Sequence, residues 1–240
     1  MIRKNKKPKI SAASAVGGSG GKSQAIAVAD YSVFFDFDNT ITLIDTLDDI
    51  IERFSINKDW VEFERSWKEG KIGSKECLEG QLNCVRIVKK DFLRYLSKIK
   101  LDPYFKPLLL FLRNKGIKPV ILSDNFSFII KSILRNHRVK GLKVYSNRIK
   151  FAKGRLRLSF PHVNLSCFRC GHCKKNNLLK TKFRDKIIYI GDGLSDVCPA
   201  GEADIVFAKG SLLKQLRIKK KHCIAFKNLG EVYRCLKWRK

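Results

Sequence analysis

Tyr31-Ser32-Val33-Phe34-Phe35-Asp36-Phe37-Asp38-Asn39-Thr40 decides how the rest of this chain is read. Its first five residues are an apolar run rich in β-formers, the pattern of a buried strand. Two carboxylates then stand two residues apart where that strand ends. Like charges so close are costly unless a cation or a reacting group uses them. In open α/β sheets, ligands bind outside the carboxyl ends of strands. One carboxylate there can attack while its neighbour handles a proton, and both can face a metal. The plainer reading is an Asp-rich turn in which Asn39 and Thr40 cap the next helix.

Working outward, the same pattern recurs twice. Pro119-Val120-Ile121-Leu122 reads as a second buried strand and runs into Ser123-Asp124-Asn125. Lys186 to Ile190 reads as a third and runs into Gly191-Asp192-Gly193-Leu194-Ser195-Asp196, where two acids again lie close together. Asp204 to Ala208 is a fourth strand, and the alternation from Lys143 to Phe160 predicts a β-hairpin. Between them, Leu47, Ile50, Ile51 and Phe54 recur at helical spacing, as do Phe92, Leu93, Leu96 and Ile99. Leu108 to Leu112 is a helix ended by Gly116, and Phe128 to Arg135 is another. Strands alternating with helices predict an α/β protein with a parallel sheet and a helical insertion after the first strand.

With these three strand ends in this order, the chain resembles the haloacid-dehalogenase-like phosphohydrolase superfamily, specifically its phosphoserine phosphatase-like subgroup. The resemblance implies a Rossmann-like three-layer core, residues 30–43 and 107–240, with a helical-bundle cap of the C1 type at 44–106 and a basic tail at 1–29. It implies a phosphomonoester hydrolase acting on a small phosphorylated metabolite through an aspartyl-phosphate, with Mg2+ as cofactor. Asp36 would be the nucleophile and Asp38 the acid–base, its backbone carbonyl on the metal. Asp36 and Asp192 would ligate Mg2+, with Asp196 ligating it or supporting from behind. Ser123 and Lys174 would hold the phosphoryl oxygens. Lys175 is the alternative for the lysine, and Ser123 could also serve as the N-cap of a helix over Asn125 to Arg135.

Within that resemblance, Asp45 stands where phosphoserine phosphatases carry a Glu for the substrate amine, and Gln81 where they carry an arginine for its carboxylate. A neutral amide cannot replace a bidentate guanidinium, so phosphoserine is disfavoured. Asp45, Gln81 and Asn125 are the expected substrate contacts beside Ser123. Trp60, Trp67, Ile72 and the approach Cys170-Gly-His-Cys-Lys174 look more like the methionine-salvage phosphatases for a methylthio-keto-pentenyl phosphate, although both tryptophans also suit a cap core. Phosphoserine itself and transfer of the phosphoryl group to an alcohol are the enzymatic alternatives. An anion- or nucleic-acid-binding protein on the same scaffold is the non-enzymatic one.

Composition bounds these readings. With 240 residues, 44% hydrophobic and 30% charged, the chain can bury one good core. It contains no apolar run of the roughly 20 residues that span a bilayer. The formal charge is +28, to which Arg3, Lys4, Lys6, Lys7, Lys9 and Lys22 contribute without a single acid before Asp30. Such a charge attracts nucleic acid, anionic lipid or phosphorylated metabolites, but no nucleic-acid-binding signature accompanies it, and solvated lysines are the simplest reading. The segment Gly17 to Ser23 mimics a phosphate-binding loop, yet Val16 stands at its first required glycine and no strand precedes it. Eight cysteines without a secretory signal suit reduced thiols and a cytoplasmic location, with an organellar address in the basic start as the alternative. Cys167, Cys170 and Cys173 with His162 and His172 could hold zinc, though the spacing is tight for one tetrahedral site. Oligomeric state has no signal in the sequence.

Overall fold

The computed structural model describes residues 28–152, 155–167 and 169–238. Most of the basic start, with the phosphate-loop mimic, and residues 153–154 lie outside the described residues. A short 3-10 turn at Val28–Asp30 leads into the sheet, with Val28 already buried in the core.

Seven strands form one sheet: β1 Tyr31–Phe35, β2 Val120–Phe126, β3 Lys143–Ala152, β4 Arg155–Ser159, β5 Lys186–Gly191, β6 Ile205–Ala208 and β7 Ile224–Ala225. Their order is β4-β3-β2-β1-β5-β6-β7, parallel except for β4, which returns antiparallel to β3 as the hairpin the alternation predicts. The central strand is the one that carries the opening motif. Its side chains alternate: Val33 and Phe35 pack with α5 Phe105–Asn114, α6 Ser127–Asn136 and α10 Leu229–Trp238. Phe34 faces the other way, with Tyr189 and Leu178, under α7 Lys174–Thr181 and α9 Gly210–Ile218. Full burial of a Phe or Ile contributes about 1.5–3 kcal/mol, and the central strands bury one on each face in turn. The result is a helix–sheet–helix core of Rossmann-like form.

Between β1 and α5 the chain leaves the sheet and builds the cap from α1 Thr46–Phe54, α2 Trp60–Lys68, α3 Ser74–Asn83 and α4 Lys89–Leu96. Exit and return run side by side, joined by an antiparallel bridge from Thr42 to Leu101 and by the Leu43 amide on the Lys100 carbonyl at 3.1 Å. α1 is strongly amphipathic, burying Leu47, Ile50 and Ile51, with Asp45 capping its start. The sequence reading left α7, α9, α10 and the two-residue β7 unassigned. α7, α9 and β7 are short or highly charged, with little periodicity until a sheet face is there to receive them, whereas α10 buries Leu229, Val232 and Leu236 at a helical spacing that was legible in the sequence.

Candidate active site

The register of the central strands brings the three motifs together. The Asp36 amide donates to the Ile190 carbonyl at 2.9 Å, so β1 and β5 stay paired up to the last residue before each acidic loop. Asn39 then takes a left-handed turn (φ 51°), and Thr40 Oγ1 donates to Asp192 Oδ1 at 2.9 Å. On the other side, β2 continues to Phe126, one residue before α6 begins. Ser123 is therefore in the strand and not the N-cap of that helix. Its Oγ accepts the Asn125 amide at 3.1 Å, leaving its own proton to donate elsewhere.

Lys174 opens α7 and is almost wholly buried. Its Nζ donates to Asp36 Oδ1 at 2.8 Å and to Asp196 Oδ1 at 2.7 Å. Burial opposes the charge, but Asp196 and Asp36 outweigh it and hold the ammonium well above its ordinary pKa. Lys175 points the other way, to Glu202 at 2.6 Å on the surface.

Asp196 is saturated. Oδ1 also accepts the Tyr189 hydroxyl at 2.6 Å, and Oδ2 accepts the Asp192 and Gly193 amides at 3.0 and 2.9 Å. Against its burial, the Lys174 charge and these donors keep the carboxyl below the usual range. The approach requires glycine at 191, where a Cβ would stand 2.5 Å from Asp196 Oδ2. Asp36 is in the opposite condition: burial and the neighbouring Asp196 push its carboxyl well up. Burial and Asp196 likewise lift Asp192 to about 6. Oxygens of Asp36, Asp192 and Asp196 lie within 4.8 Å of one another, the one such cluster of potential metal ligands among the described residues. One lysine does not balance three carboxylates, and hard oxygen donors suit a hard divalent cation. Each Asp196 oxygen already accepts two donors, whereas Asp36 and Asp192 each accept one side-chain donor on a single oxygen and keep acceptor capacity for such an ion.

Asp38 faces the cap. Its carboxylate accepts the Thr46 amide at 2.9 Å and the Thr46 hydroxyl, and Asn125 Nδ2 reaches its two oxygens at 3.2 and 2.9 Å. Burial first, then Asp45, raise it to about 7 against these donors. Asn125, expected to touch substrate, spends its amide on Asp38 and Thr46 and its carbonyl on the Phe126 amide, so it holds Asp38 in place. Asp45 caps α1 through Oδ1, which accepts the Leu47 and Asp48 amides.

Above these groups lies a cavity of about 160 Å3, with Asp36, Asp38, Ser123, Lys174 and Asp192 below and Asp45, Leu47, Asp48, Glu64, Trp67, Leu78 and Gln81 from the cap. Gln81 Nε2 donates to Glu64 Oε2 at 3.0 Å, and Glu64 pairs with Lys68 at 2.9 Å. Trp67 Nε1 donates to Ser74 Oγ at 3.0 Å, and that hydroxyl and the Ser74 amide both donate to the Arg169 carbonyl, at 2.9 and 3.0 Å. The cap is thus latched to the loop that leads to Lys174. Trp60 packs against the core cluster, away from the cavity lining.

Asp124, quoted in the second motif without a role, also lines the cavity, and Glu64 and Thr46 are site residues that the sequence reading does not name. Thr46 carried a signal, a hydroxyl directly after the helix-capping Asp45; Glu64 had none beyond its place on the inner side of α2. The cysteine cluster does not assemble into a zinc set among the described residues. Cys167 and Cys170 sulfurs are 3.7 Å apart, while Cys173 is buried at the start of α7 and joins no group of three ligand atoms.

Fold and floor define a phosphoryl-handling hydrolase of the haloacid-dehalogenase-like type. The model of the family described as "Putative Phosphatase" matches residues 31–227, and the chain belongs to that family. It is 30% identical over 191 residues to the 2-hydroxy-3-keto-5-methylthiopentenyl-1-phosphate phosphatase of Geobacillus thermodenitrificans, covering 76% of this chain and 84% of that one. The phosphoserine phosphatase of Homo sapiens is 25% identical over 189 residues, covering 77% of this chain and 84% of its own. Among solved structures, a substrate-bound phosphoserine phosphatase superposes with a TM-score of 0.67 at 18% identity, over 88% of this chain and 99% of that one. The protein is an enzyme, a phosphatase of the phosphoserine phosphatase-like subgroup acting on a small phosphorylated substrate.

Proposed function

We propose a Mg2+-dependent phosphomonoesterase that works through an aspartyl-phosphate on Asp36, with residues 44–106 as the substrate-selecting cap. The supporting observation is the Lys174 ammonium fixed between Asp36 and Asp196 under an open cavity, with Asp192 beside it. One oxygen of Asp36 attacks phosphorus, while Oδ1, with Lys174 as its one side-chain donor, keeps a lone pair for a cation. Asp38, protonated near neutrality, gives its proton to the leaving alkoxide and then takes one from the water that cleaves the acyl-phosphate. Ser123 and Lys174 donate to the phosphoryl oxygens as charge builds on them. Asp36 and Asp192, with the Asp38 main-chain carbonyl, are the groups that would hold Mg2+. When bound, the ion offsets charge on the phosphoryl group and the carboxylates.

The cap favours a tail without a carboxylate. Asp45, Asp48 and Glu64 line the cavity, the position matching the serine-binding arginine is Gln81, and Leu47, Leu78 and Trp67 supply apolar wall. A carboxylate entering there meets three acids and no guanidinium. A neutral tail, such as that named for the Geobacillus relative, or a cationic one fits. Purified protein releases phosphate from para-nitrophenyl phosphate with Mg2+ and not with EDTA, and a screen of phosphorylated metabolites ranks phosphoserine near the bottom. Activity of the Asp36→Asn variant equal to wild type overturns the mechanism; phosphoserine at the top overturns the substrate class.

A further inference from the structure

We infer that the edge of the core opposite the active site, where the parallel strands begin, binds the phosphate backbone of single-stranded nucleic acid. The charge of this chain is unevenly placed. Residues 44–106 hold 13 Lys and Arg against 12 Asp and Glu, whereas 30–43 and 107–240 together hold 31 against 10. Five of those ten acids, Asp36, Asp38, Asp124, Asp192 and Asp196, line or support the active site. The cap is therefore an internal control, because a general bias toward lysine would have charged it as well. Its cations are also paired along its helices, as in Arg65–Glu62, Lys68–Glu64 and Arg94–Asp91.

At the amino edge of the sheet the pattern reverses. The turn into β2 exposes Arg113, Lys115 and Lys118, and the turn into β3 exposes Arg138, Lys140 and Lys143. None of the six forms an ion pair with a described residue. Arg113, Lys118 and Lys140 wall a surface recess of about 380 Å3 that contains no acid, its remaining lining being Ile117 and two glycines. Further along the same edge, Lys182, Arg184 and Lys186 lead into β5, and Lys219 and Lys220 approach β7. From β3 to β7 is five strand spacings of about 4.8 Å, roughly 24 Å, the reach of a short single-stranded segment. Asp30, Asp185, Asp204 and Glu202, the last paired with Lys175, interrupt this band near its middle without matching it in number.

Aromatic rings lie among these cations. Phe183 is 43% exposed with the Arg184 guanidinium 5.8 Å from its ring centre, and Lys186 stands 5.7 Å from that of Tyr31. Exposed rings between cations accept bases by stacking while the cations hold phosphates, without reading sequence. A lipid surface would ask for a contiguous apolar wedge; here the exposed Phe183 and Ile218 stand apart, at the turns into β5 and β7.

The test is fluorescence anisotropy of the full chain with labelled oligo(U) and oligo(dT) across roughly 50–200 mM salt. Binding that engages four phosphates has a log–log salt slope near −3, about 0.7 per phosphate. Lys118→Glu with Lys140→Glu is expected to weaken binding at least tenfold and to flatten the slope by about 1.4. Phe183→Ala should weaken it about tenfold at constant slope. Lys89→Glu with Lys90→Glu, the same charge change on the cap, should do neither, and hydrolysis of para-nitrophenyl phosphate should be unchanged in all three. Equal loss from the cap and core pairs would mean bulk charge alone and overturn the assignment. So would tighter binding to phosphatidylserine vesicles than to either oligonucleotide.

Discussion

The floor and the roof of the active-site cavity are built to different standards. In the floor, Asp196 takes hydrogen bonds from a lysine, a tyrosine and two main-chain amides, and Lys174 is pinned between two carboxylates. In the roof, Gln81 leans on Glu64, which leans on the largely exposed Lys68. A side chain with several buried partners cannot move without leaving one unsatisfied, at about 1–3 kcal/mol each. One with a single partner near solvent can be replaced. The difference matches the proposed division of labour, with a fixed floor for the reaction and a replaceable roof for the choice of substrate.

The comparison breaks most sharply at the floor. Asp36→Asn should lower kcat at least about 10,000-fold with little change in thermal stability, because the nucleophile is lost and the shape kept; a stopped assay and a melting curve check both. Lys174→Ala should cost about 100–1,000-fold in kcat by removing a fixed phosphoryl donor, while Lys175→Ala, which only frees Glu202 on the surface, should leave kcat within twofold.

Between the two halves stands Asn125. Its amide stabilises the ionised form of Asp38, so Asn125→Ala should raise the Asp38 pKa above about 7. In the proposed mechanism Asp38 is protonated when it releases the leaving group, so the alkaline limb of kcat/KM should move to higher pH. A limb that moves down, or stays, would detach Asp38 from that role. The smallest effect belongs to the roof. Gln81→Arg alone should raise kcat/KM for phosphoserine by less than tenfold, since Glu64 at 3.0 Å would capture the guanidinium. Adding Glu64→Gln should release it and extend the gain past tenfold.

How much of this the sequence disclosed follows the same division. Three buried strands ending in acids or a serine were legible because strand burial writes itself as apolar runs and the motifs sit at fixed offsets from them. Asp36, Ser123 and Asp192 could be placed from that alone, and the amphipathic cap helices from their spacing. The pairings were not legible. Nothing in the order of residues says that Gln81 meets Glu64, that Asn125 serves Asp38, or that Asp45, expected to face substrate, also caps α1. Those contacts depend on where the cap comes to rest over the sheet, which is set by packing far from the motifs. The charge asymmetry between cap and core was countable from the start, but it had no meaning until the sheet order gathered the turns into one edge.

The latch from Ser74 to the Arg169 carbonyl also sets a population. Two hydrogen bonds between groups that water can replace contribute about 1 kcal/mol each, roughly 2 kcal/mol together. A bias of that size leaves about 3% of molecules with the hydrogen-bonded latch undone at equilibrium. Substrate therefore meets a cap and a Lys174 approach that are already joined in nearly all molecules, so the spacing between roof and floor is set before binding and not by it.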